Sequence, residues 1–194
     1  MSSHAQLPLS VLYEVEGWLC VDDEPGSEYL AESRLSERFD QFENEQPALA
    51  AYVGENLSRT GDDLVVALGY FLAIITWMAF DRAFEGRLSE IDGVSVTGVT
   101  ESFELDEELR RADPAEILET DDVVALEQPD LVQFINDHIE TALEAHAGVI
   151  DVDAVNKVYR LLLQQVLALS YAVLHPDGES YDADALYETR DIYA

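Results

Sequence analysis

Among the side chains of this 194-residue chain whose types could do chemistry are His138 and His146, the single cysteine Cys20, and the basic pair Lys157 and Arg160. Two histidines share a metal ion on one helix when they sit three or four residues apart. His138 and His146 are eight apart, so a second element would have to supply ligands. No Glu-x-x-His pair marks a di-iron bundle, and no His-Glu-x-x-His marks a zinc protease. Asp151-Val152-Asp153 and Asp182-Ala183-Asp184 resemble pieces of calcium loops, but the central Gly and closing Glu are missing. Asp153 is therefore expected to cap a helix.

The acids Glu101, Glu104, Glu107 and Glu108 are dense, yet no matching helix motif partners them. All-α nucleotide pyrophosphohydrolases would need an acid near Val66, and that stretch has none. There is no glycine-rich phosphate loop, no nucleophile elbow, and no Cys–His pairing in a catalytic context. No cofactor, no metal and no enzymatic activity are expected. A metal–carboxylate enzyme assembled from remote acids is the weakest of the readings kept.

Lys157 and Arg160 stand with Asp153 and Gln164 at spacings of four, three and four, which places all four on one helix face. Such a face could hold a phosphate or carboxylate. In so acidic a chain an internal partner such as Glu140 or Glu144 is the more economical expectation. Lys157, Arg160 and Gln164 are the candidate interaction face.

Composition narrows the rest. There are 41 acidic residues against 10 basic ones, a formal net charge of −31, and Lys157 is the only lysine. An even acidic excess with lysine almost eliminated is a composition adapted to molar salt, where the screening length falls to about 3 Å. Direct nucleic-acid binding needs a basic face and is not expected. With 48% hydrophobic residues the chain has the material for a real core. One cysteine excludes an intrachain disulfide. Residues Met1 to Cys20 hold no Lys or Arg, unlike a signal peptide, so a cytoplasmic location is expected.

The elements must be built around residues 62–84. From Leu64 to Phe80, 17 residues pass without a charge. A helix apolar all round is buried all round. Asp62, Asp63 and Asp81 flank the run, and Arg82 is its one adjacent cation, which favours a core helix over a membrane span. The small residues Gly69, Ala73 and Thr76 suit a close helix crossing.

Further helices are expected over 8–20, from Ser27 to about Phe42, and from Glu45-Gln46-Pro47 to Ser58. Ser89–Thr100, with two glycines and scattered valines, reads as a loop, followed by short acidic helices near Asp106–Ala112 and Pro114–Glu119. Glu127-Gln128-Pro129 then repeats Glu45-Gln46-Pro47. Behind it, Leu49, Tyr52, Val53 and Leu57 match Leu131, Phe134, Ile135 and Ile139 at an offset of 82. A second apolar helix from about Asp153 to Leu174 matches the first at an offset of 91. The tail holds a turn at His175–Gly178 and a short helix around Ala183–Tyr193. Its tyrosines, with Tyr171, are read as packing residues.

The expected architecture is a single all-α domain over 1–194, with two pseudo-repeated helical hairpins packed together. The repeat-like halves span about 27–88 and 113–175, and 89–112 links them. The expected role is a non-enzymatic cytoplasmic adaptor or regulatory domain, adapted to high salt, whose partner is another protein; the principal alternative is an acidic DNA-mimic decoy for a basic nucleic-acid-binding protein.

Helix content followed by circular dichroism is expected to melt as KCl falls from molar to millimolar, because unscreened carboxylates repel. Unchanged structure in low salt would instead support the decoy.

Overall fold

A computed structural model describes residues 5–20, 27–112 and 120–175 of the chain. Among them are eight helices: α1 (Leu9–Leu19), α2 (Ser27–Glu45), α3 (Pro47–Ser58), α4 (Asp63–Ala83), α5 (Gly93–Ala112), α6 (Thr120–Glu127), α7 (Pro129–Ala145) and α8 (Val152–Ala172). The class is all-α, as the periodicities indicate. The predicted tail helix and the Pro114–Glu119 helix lie outside the described residues.

The uncharged run is α4, and it is the hub. Its 21 residues are long and apolar enough to cross a bilayer, but α1, α2, α3, α7 and α8 all pack on it. Leu72, Ile75, Trp77 and Phe80 are buried in the result. A methyl group at Gly69 would collide with the Leu57 side chain and stand 3.1 Å from Val158 Cγ1. The glycine, at some cost in helix propensity, thus lets α4 approach α3 and α8 together.

Both long apolar helices begin in the same way. Asp62 Oδ1 accepts from the backbone N–H groups of Leu64 and Val65, and Asp151 Oδ1 accepts from those of Asp153 and Ala154. Asp151, not Asp153, is therefore the cap, and Asp153 lies in the first turn. A glycine with positive φ, Gly61 at 74° and Gly148 at 82°, turns the chain shortly before each cap. Asp62 Oδ2 also accepts from the Asp151 N–H at 2.8 Å. One antiparallel bridge joins Leu88 to Val173 beyond the opposite ends, so α4 and α8 run in the same direction.

The two caps stand 89 residues apart, where the apolar matches suggested an offset of 91. At 89 the buried residues Val65, Gly69, Leu72, Thr76, Trp77 and Phe80 fall on the buried Ala154, Val158, Leu161, Gln165, Val166 and Leu169. At 91, Val65 would fall on exposed Asn156. Apolar spacing alone tolerates a two-residue slip; a cap does not.

The Glu-Gln-Pro sequences show a matching economy. Pro47 and Pro129 open α3 and α7, leaving Gln46 and Gln128 as caps whose side chains do not bond their own helices. Both side chains are buried and reach elsewhere. Gln46 Nε2 donates to Ser89 O at 3.0 Å, and its Oε1 accepts from Ile91 N–H at 2.8 Å. Gln128 Nε2 donates to Ala5 O at 2.6 Å, and its Oε1 accepts from Leu7 N–H at 2.9 Å. Each amide reads a carbonyl and an N–H two residues apart, as a neighbouring strand would. The segment held by Gln46 leads into α5, and the one held by Gln128 leads into α1. Helix packing follows the same exchange: α1 lies on α4 and α7, and α5 lies on α8 and α3.

The region from Gly93 is a correction. Where a loop and a separate helix at Asp106–Ala112 were expected, α5 is one helix of 20 residues. Asp92 Oδ1 accepts from Ser95 N–H at 2.7 Å and starts it. Val96, Val99 and Phe103 then bury one face at i, i+3 and i+7. Thr97, Thr100 and Ser102 return their hydroxyls to carbonyls four residues back. Burial of that face outweighs the low helix propensity of Gly, Val and Thr.

Leu49 and Leu131 are fully buried at matching positions of α3 and α7. Leu49→Ala and Leu131→Ala are each expected to cost about 2–5 kcal/mol in chemical denaturation. Gln46→Leu and Gln128→Leu are each expected to cost about 1–3 kcal/mol, because each leaves a main-chain donor and acceptor unpaired.

Candidate functional site

The stripe predicted on α8 is divided by the fold. Lys157 is exposed. Arg160 is half-buried and points its Nη2 at Phe103 O of α5, 3.5 Å away. Gln164 Oε1 accepts from the Tyr52 hydroxyl of α3 at 2.6 Å. Burial pushes the Tyr52 phenol above its ordinary range; a side-chain hydrogen bond with Thr100 opposes this, Glu104 adds to it, and the Arg160 guanidinium opposes it. This half of the stripe joins α8 to α3 and α5, and a protonated phenol donating to an amide is a structural contact.

The histidines are also far from one another in role. His146 sits at the C-terminal end of α7 and is exposed. His138 Nδ1 bonds Phe134 O at 2.9 Å and Nε2 meets Glu16 Oε1 of α1 at 2.8 Å. Asn56, at the matching place on α3, bonds the carbonyl of Tyr52 in the same i−4 manner. Among the described residues no group of three or more His, Cys, Asp or Glu side chains is arranged to hold a metal ion. Cys20 is exposed; partial burial first, then the Glu16 carboxylate, raises its thiol above the ordinary range and disfavours the thiolate.

A different cluster stands at the joined N-terminal ends of α4 and α8. Val149 is 77% exposed, Val152 55% and Leu64 39%. All three lie within two residues of the contact between Asp62 and Asp151. Around them are the carboxylates of Asp62, Asp63, Asp151 and Asp153 and the positive ends of two parallel helices. Hydrogen bonds from the backbone of Asp151 and Val65 hold the Asp62 carboxyl below the usual aspartate range. Three exposed apolar side chains thus stand at the same end of the helix pair as four carboxylates. Sequence reading passed over this cluster because Leu64 and Val152 look like ordinary helix residues. The available signal was that Val149 and Val152 flank a capping Asp just after a glycine turn, where a core residue is out of place.

At the far end of α4, Asp81 is half-buried near Glu45, Glu85 and Arg38. Burial raises its carboxyl above the usual value of 3.8, Glu45 and Glu85 raise it further, and Arg38 lowers it.

Compared with known proteins, the chain matches no protein family, no curated protein and no solved structure.

For Asp81 the folded chain binds a proton more tightly than the unfolded one. The associated stability is complete below the unfolded value and is lost as pH rises through the folded value. Asp81→Asn is therefore expected to raise the melting temperature at neutral pH, with the gain over the parent vanishing as pH drops through the raised carboxyl range. Thermal melts of both proteins at several pH values check this.

Proposed function

We propose that the protein is a non-enzymatic adaptor or regulatory domain working in a high-salt cytosol, and that it docks another protein at the shared N-terminal end of α4 and α8. The observation that carries this reading is the exposure of Leu64, Val149 and Val152 beside the Asp62–Asp151 contact. Surface area of this kind gains most from leaving water, on the order of 1–2 kcal/mol for a well-covered aliphatic side chain. In molar salt that gain persists while charge attraction is screened within a few ångströms. The apolar side chains supply affinity, and the carboxylates at that end select a partner carrying basic or hydrogen-bond-donor groups beside its own apolar contact.

The test is affinity capture in molar KCl, followed by crosslinking and mass spectrometry, with the parent chain and a Leu64→Ser/Val149→Ser/Val152→Ser variant. These side chains are largely outside the core, so helix content is expected to persist. Crosslinks from a captured protein to residues 62–64 and 149–153, lost in the variant, would support the reading. Capture unchanged in the folded variant would overturn it.

A further inference from the structure

The chain has ten basic residues, and three of them, Arg34, Arg38 and Arg82, are gathered around one short helix, α1. His138 joins them. Glu14 of α1 meets Arg82 of α4, and Glu16 meets His138 of α7. Trp18 lies beneath Arg34 and Arg38, whose guanidinium carbons stand 5.1 and 4.5 Å from the ring centre. Arg34 Nη1 also donates to Trp18 O at 2.6 Å.

The other contacts of α1 are read off its main chain. Pro8 offers no side-chain cap, and Asp130 of α7 accepts from Leu9 N–H at 3.1 Å in its place. One step earlier, Gln128 grips Ala5 O and Leu7 N–H. From residue 5 to residue 19 this segment runs beside α7 in the same direction, with Tyr13 edge-on to Phe134 and Leu12, Val15 and Leu19 buried. Such an arrangement is that of an extended-then-helical peptide in a receptor groove, built from groups that recognise this sequence and occupied by the chain itself.

We propose that the groove formed by α4 and α7 is a self-recognition site, and that residues 5–19 of a second copy can occupy it, giving a dimer in which α1 is exchanged. The occupant is fixed by complementarity: Glu14 fits Arg82, Glu16 fits the His138 ring nitrogen, and the Trp18 indole fits Arg34 and Arg38. An identical segment remakes every contact without new complementarity. The internal copy competes at the high effective concentration of a tethered ligand, so exchange emerges when the internal contact is weakened. This inference does not rest on the apolar end patch, which lies on other residues.

A charge exchange between full-length chains tests it. Glu16→Arg sets an arginine against His138 within one chain; His138→Glu sets a carboxylate against Glu16 within the other. When the two proteins are mixed, exchange of α1 places the introduced arginine beside the introduced glutamate, and restores the native Glu16–His138 pair at the second site. Light scattering after size exclusion, in the lowest KCl that preserves helix content, is expected to show on the order of tenfold more dimer in the mixture than in either variant alone. A chain carrying both substitutions is expected to be monomeric, since its internal pair is restored. A mixture that equals the sum of its parts, with both proteins folded by circular dichroism, would overturn the proposal. If either variant loses helix content, Glu14→Arg and Arg82→Glu, an exposed pair joining α1 to α4, are mixed under the same criteria.

Discussion

Two buried amides set the terms for the rest of the molecule. A primary amide taken out of water must find partners for its carbonyl and its NH2, or lose on the order of kilocalories. Gln46 finds its partners at Ser89 and Ile91, on the segment leading into α5, and Gln128 finds them at Ala5 and Leu7, on the segment leading into α1. Each glutamine thus ties a segment distant in the chain to the start of its own helix by hydrogen bonding before apolar burial is counted, and Gln128 also donates to Ser170 Oγ of α8. The proline after each glutamine helps, because it starts the helix without needing a donor and leaves the glutamine side chain free to reach outward. Burial then adds the larger energy where Gly69 lets α3, α4 and α8 meet.

Charge is distributed on a different principle. Most of the acids among the described residues face solvent, and several act locally, as Asp62, Asp92 and Asp151 do at helix starts. Two of the cations among the described residues stand at joints: Arg82 against α1, and Arg160 between α8 and α5. Salt therefore acts in two directions within one molecule. It relieves repulsion among surface carboxylates and weakens the exposed Arg82–Glu14 pair that helps seat α1.

Much of the helix content was legible in the sequence. The uncharged stretch from Leu64 to Phe80 marks the core helix, and Pro47 and Pro129 mark two helix starts. Other features depend on contacts between residues far apart in the chain. The helix over Gly93–Ala112 is set by the burial of Val96, Val99 and Phe103, while its composition reads as loop. The cap at Asp151 rather than Asp153 depends on where Gly148 turns the chain. Spacing put the α8 stripe on one face, yet periodicity could not say that Arg160 and Gln164 reach α5 and α3 while Lys157 is exposed. Nor does any local pattern show that Gln46 and Gln128 reach backbone more than 40 residues away.

The parallel pairing of α4 with α8 has a consequence for the order of events during synthesis. The two helix starts are 89 residues apart. At a typical elongation rate of about 5–20 residues per second, α4 waits roughly 4–18 seconds for the helix that covers it. Contacts of such long sequence separation also carry a large loop-closure cost, which slows their formation once both partners exist. For most of that interval the most apolar stretch of the chain has only its earlier neighbours for shelter, and Gln128 is not yet there to hold Ala5 and Leu7. The nascent protein is at its most vulnerable to aggregation just when half of it has been made.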